Sequence, residues 1–130
     1  MEIEPNDELL NIESGDILIN DDISKSFIKE FKFVLEILEK HDLVPNNISF
    51  QLVKRLGLMG GAMVELPKCF CIVVVEKALK EVAGKDQLIE AHICRLILHE
   101  IGHTKGYGEV KTDKWAIKET NKLLSELRKK

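Results

Sequence analysis

The sequence predicts an α+β fold in which helices flank a small three-stranded sheet, mixed or antiparallel. Three observations carry this. Cys69–Val75, CFCIVVV, is a short run rich in β-branched side chains and bounded by turn residues, as a buried strand requires. Two weaker strand-like stretches, Ile48–Val53 and Ala62–Leu66, precede it, and short turns join all three into one sheet. On either side of this region, apolar residues recur at spacings of three and four, the pattern of helices with one face on a core.

The totals bound the reading. A chain of 130 residues is the size of one domain, 1–130, and 45% hydrophobic with 32% charged residues is a globular composition. A formal net charge of -3 argues against a nucleic-acid partner and against a membrane surface. No apolar stretch reaches the length of a membrane span, and the opening MEIEPNDELL is acidic where a signal peptide is basic and then apolar. A cytoplasmic protein is therefore expected. Three cysteines, an odd number, fit free buried thiols in a reducing compartment.

In chain order, residues 1–24 carry eight acidic side chains and no Lys or Arg. Residues 1–22 read as an acidic, partly mobile arm, with room for a short strand at Asp16–Asn20. Asp22 or Ser24 can cap a helix running to about His41, with Phe27, Ile28, Phe31, Val34, Leu35 and Leu38 as its core stripe. Pro45 marks a turn, and the three strands follow, with glycines at 57, 60 and 61 between the first two and Pro67 ending the second. Gly84-Lys85-Asp86 breaks the pattern, and Asp86 can cap a helix that ends near Gly106. A last helix is predicted from about Gly108 to Leu127.

The penultimate helix carries HEIGH, an H-E-x-x-H formed by His99, Glu100 and His103. Residues four apart on a helix lie about 40° off one face and about 6 Å apart along the axis, so two imidazoles can converge on one ion. Such a motif arises by chance in a chain of this composition about one time in a hundred, so its context matters. Ile93, Leu96, Ile97 and Ile101 supply a core stripe for the helix, and Glu109 with Asp113 repeats the four-residue spacing just downstream. Two His and one carboxylate favour Zn2+, and three protein ligands leave a position for water, as catalytic zinc sites do. Glu100 stands beside the ligands as a general base.

The order of helix, small sheet, HExxH helix and glutamate-bearing helix resembles the catalytic half of zincin metallopeptidases. Residues 109–116, EVKTDKWA, are similar to the gluzincin pattern E-x-x-A-D-x-x-A at Glu109, Asp113 and Ala116, with Thr112 in place of Ala. The metzincin pattern HExxHxxGxxH fits Gly106 and also nominates Glu109. It needs a downstream methionine, however, and none follows Met63. Gly106-Tyr107-Gly108-Glu109 bears a weaker similarity to the ending of a metal motif in small ribosome-processing endoribonucleases, which lack the Glu after the first His.

The gluzincin resemblance implies a minimal zincin-like domain hydrolysing peptide bonds. His99, His103 and Glu109 would hold the metal, Glu100 would act as base, and Asp113 would orient a ligand histidine. Tyr107, the only tyrosine, is the candidate to stabilise the oxyanion. A peptide or protein substrate would add along an edge strand at Ala62–Leu66, where Gly60 and Gly61 allow close approach. Only five residues separate His103 from Glu109, which is short for gluzincins, and Lys111 stands where relatives carry a second acid. A non-catalytic zinc-binding or protein-interaction module on the same fold, and a metal-dependent endoribonuclease, are the alternatives.

Overall fold

The computed structural model describes residues 10–84 and 88–129. In chain order the elements are β1 (Ile17–Ile19), α1 (Lys25–Lys40), β2 (Ile48–Val53), β3 (Gly61–Glu65), β4 (Phe70–Val75), α2 (Glu76–Ala83), α3 (Ile89–Thr104) and α4 (Glu109–Leu127). The fold is α+β, with a four-stranded mixed sheet in the order β1-β2-β4-β3. β1, β2 and β4 run parallel, and β3 returns antiparallel to β4 and forms one edge.

Two expectations are corrected here. The sheet has four strands rather than three, because Ile17–Ile19 pairs with Phe50–Leu52. That stretch of the acidic arm is therefore held in the sheet. The second correction is α2, which begins directly after β4 in a stretch for which no helix is predicted. The Asp86 cap and the first nine residues of the arm lie outside the described residues.

The alternation of the strands divides the sheet into two faces. Phe50 and Leu52 of β2 pair in register with Ile72 and Val74 of β4, and these side chains join the core formed with α1, α3 and α4. Val53, Ala62, Val64, Cys71, Val73 and Val75 occupy the other face with Ile12. On the helical side, Phe27, Phe31 and Leu38 of α1 are fully buried, as are Ile93, Ile97, Leu98 and Ile101 of α3. Burying that stripe fixes the rotation of α3, so the histidines take the adjoining, half-exposed face. All three cysteines are free and buried, and no described helix is long and apolar enough to cross a membrane.

Ser24 caps α1 by accepting from the Phe27 N–H at 3.3 Å. The same residue anchors α2. The Glu76 carboxylate, without exposed surface, accepts from Ser24 N at 3.0 Å, Ser24 Oγ at 2.8 Å, Lys80 Nζ at 2.6 Å and Lys54 Nζ at 3.3 Å. Burial alone would raise its pKa, but the Lys80, Ser24 and Lys54 donors outweigh it and hold the carboxyl down at about 2. A buried charge is tolerated because every side of it is met by a donor.

Candidate metal centre

His99 and His103 lie one turn apart near the end of α3, and Glu109 is the first residue of α4. Their six-residue separation is closed by a tight helix end. Gly106 takes φ +87°, its N–H bonds to His103 O at 3.0 Å, and Tyr107 N–H reaches back to Gly102 O at 3.0 Å. These two bonds form a Schellman cap, which needs a residue that enters the left-handed region easily.

The Nε2 atoms of both histidines face the Glu109 carboxylate, His103 at 2.7 Å from Oε1 and His99 at 3.5 Å from Oε2. The imidazoles stand edge to face with centroids 4.9 Å apart. One ligand atom from each of His99, His103 and Glu109 lies within 4.8 Å of the other two, so the three could hold one metal ion. Zinc bonds of about 2.0–2.2 Å place neighbouring ligand atoms of a tetrahedron about 3.3 Å apart, so this donor set fits the ion with small adjustments.

Of the outer ring nitrogens, that of His103 has a hydrogen-bond acceptor and that of His99 has a carboxylate just beyond hydrogen-bond reach. His103 Nδ1 is 3.0 Å from the Tyr107 carbonyl oxygen. His99 Nδ1 is 3.7 Å from Asp113 Oδ1, which also accepts from Arg95 Nη2 at 3.1 Å. His103 can therefore carry its proton on Nδ1 and turn an Nε2 lone pair inward, the tautomer a metal requires, and Asp113 lies on the Nδ1 side of His99. Asp113 sits on the α4 face expected of it, one turn beyond Glu109.

Glu100, next to His99 on α3, is 9% exposed. Burial raises the pKa of its carboxyl; His99 and His103 oppose that shift and Glu109 adds to it. Burial thus makes the Glu100 carboxylate a stronger proton acceptor than an exposed one. The Tyr107 ring stacks edge to face on Trp115 at 5.9 Å, beneath Lys111 Nζ at 4.2 Å. Trp115 itself packs on the core.

Gly102 and Thr112 hold the site's two helices together. A Cβ on Gly102 would come within 1.8 Å of Thr112 Oγ1, so α3 and α4 touch at that point. There the fully buried Thr112 donates from Oγ1 to the backbone oxygen of His99 at 2.6 Å. Thr112 and Arg95, the partner of Asp113, are the two residues to which the sequence reading gives no role. The signal for Arg95 was its place one turn before His99 on the same face.

No protein-family model, curated protein or solved structure matches the chain.

Proposed function

We propose that the chain is a zinc-dependent metallopeptidase of minimal gluzincin type, acting on a peptide or protein laid along the free edge of β3. One observation carries the reading: two Nε2 atoms and a carboxylate converge at the α3–α4 junction with a buried, high-pKa Glu100 beside them. A non-catalytic metal site has no need of that fourth group.

Zinc bound there would supply Lewis acidity toward the scissile carbonyl and a lowered pKa for attacking water. The protein's residues would do the rest. His99, His103 and Glu109 hold the ion, and Tyr107 O and Asp113 orient the imidazoles. The Glu100 carboxylate takes a proton from the attacking water and returns it to the leaving amine. The Tyr107 phenol is the candidate donor to the oxyanion. Three free cysteines suit work in the cytoplasm.

The test begins with elemental analysis of the purified protein beside His99→Ala and Glu109→Ala. About one zinc per chain is expected, reduced in both variants, with cleavage of a peptide library that Glu100→Gln abolishes while keeping its zinc. A chain that takes up no zinc at neutral pH refutes the proposal. Zinc binding without hydrolysis would leave an interaction module, and RNA cleavage surviving Glu100→Gln would establish the ribonuclease.

A further inference from the structure

A groove of about 400 Å3 opens beside His99 and Glu100, between the start of β3, α2 and α3. Leu79 and Val82 of α2 wall it on one side, Leu96 of α3 on the other, and His92 and Arg95 close the end away from Glu100. β3 pairs only with β4, leaving the outer edge of its backbone for another chain. At Gly61 that backbone rests on the site helix, since a Cβ there would lie 2.6 Å from Leu96 Cδ1. A peptide added to this edge therefore crosses the groove as it passes His99.

Resting on the peptidase reading, we propose that the groove selects peptides with a glutamate adjoining the bond presented at His99 and Glu100. The glutamate stem lies along Leu79, Val82 and Leu96, and its carboxylate meets Arg95. Val82 is 65% exposed, a large apolar side chain left open at the mouth. Apart from Glu100, which is committed to the chemistry, Arg95 is the only formally charged residue lining the groove. Its side chain is half-exposed, and among the described residues its one hydrogen-bonded partner is Asp113. A guanidinium carries five donors in a planar fork, so it can grip a second carboxylate. Asp113 is held toward α4 by Arg95 and does not line the groove, so the charge that a peptide side chain meets there is positive. Arg95 lies one turn, about 6 Å, from His99 along the helix. Glutamate reaches further along that path than aspartate.

The experiment uses zinc-loaded Glu100→Gln protein, which holds peptide without cutting it, and labelled peptides differing at one position. Glu should bind at least tenfold tighter than Gln, Leu or Lys. Arg95→Gln should reduce that preference to less than twofold, and Arg95→Glu should turn it toward Lys. Because an acid at 95 faces Asp113 and can loosen the α3–α4 contact, Val82→Glu serves as the independent variant. It is at an exposed position and should weaken the Glu peptide several-fold while leaving zinc content at one. Equal binding of Gln and Glu peptides, an order unchanged in both acid variants, or no binding at any position overturns the inference. Cleavage by the wild type without acidic preference sinks the inference alone. Acid-selective binding without any cleavage sinks the peptidase reading alone.

Discussion

Thr112 offers the most direct test of how the two site helices are registered. Its hydroxyl donates to the His99 backbone oxygen at 2.6 Å in a fully buried setting, over the spot where Gly102 has no side chain. Thr112→Ala removes one buried hydrogen bond, worth about 1 kcal/mol, and one buried methyl, worth about 1 kcal/mol more. A total near 2 kcal/mol is expected. Thr112→Ser keeps the bond and loses only the methyl part. Valine is not a neutral control, since a methyl at the Oγ1 position would overlap the carbonyl 2.6 Å away. The consequence for zinc is larger than for folding, because Glu109 lies three residues upstream on the same helix and reaches the histidines only if α4 is held in place. Outer partners of metal ligands typically contribute tenfold to a hundredfold in affinity. The assay pairs urea unfolding of metal-free protein with zinc affinity measured against a competing chelator. Thr112→Ala should lose at least tenfold in zinc affinity, and Thr112→Ser should recover most of it. In Glu109→Ala the Thr112→Ala effect should largely vanish, since there is no third ligand left to position. Zinc affinity within twofold of wild type in Thr112→Ala would refute the reasoning.

Glu76, with its carboxyl held at about 2, should support the fold above its unfolded pKa near 4.5 and lose that support as pH falls toward 2. Its side chain is fully buried but its lysine partners are only partly so, which limits the contribution to at most about 3 kcal/mol. Glu76→Gln should be less stable in urea at pH 7, with the gap to wild type closing below pH 4.5; a constant gap contradicts the assignment. Glu100 has the opposite sign. Its raised pKa favours the fold below about 4.5, and that support is lost as pH rises through the raised value, so metal-free Glu100→Gln should melt above wild type at pH 7 and level with it at pH 4. Tyr107→Phe should lower kcat about a hundredfold with KM unchanged if the phenol meets the oxyanion, and an unaltered kcat removes it from the chemistry.

Much of this architecture is legible locally. Ser24 and the spacing of Phe27, Phe31 and Leu38 announce α1, and β2, β3 and β4 fall on the stretches rich in β-branched and apolar residues. Helical periodicity pairs His99 with His103 and Glu109 with Asp113, while the meeting of the two pairs depends on the turn at Gly106. What is hidden depends on contacts distant in sequence. The short strand allowed at Asp16–Asn20 forms at Ile17–Ile19, but its place in the sheet depends on the parallel edge that Phe50–Leu52 presents. α2 is hidden for a local reason: it starts at the residue after β4, and its N-cap, Val75, makes no side-chain cap bond, so no turn residue separates strand from helix. Glu76 reads as one more surface acid until Ser24, from 52 positions earlier, is placed against it. Thr112 is visible in sequence only as a departure from an alanine.

Gly106 explains how so short a chain brings three ligands together. A six-residue step from His103 to Glu109 is too short for a separate excursion to another helix, yet Glu109 begins a 19-residue helix whose next turn carries Asp113. The left-handed turn at Gly106 resolves the conflict by reversing the chain within two residues, which leaves Tyr107 O on His103 and Glu109 facing both Nε2 atoms. The same reversal sets α4 against α3 so closely that residue 102 must lack a side chain and residue 112 must offer a hydroxyl rather than a methyl at the contact. Cap, crossing and ligand set thus depend on one another. A Gly106→Ala exchange, forced into φ +87° at about 1–2 kcal/mol, should therefore weaken zinc binding along with the fold, although residue 106 meets the site only through the His103 backbone oxygen.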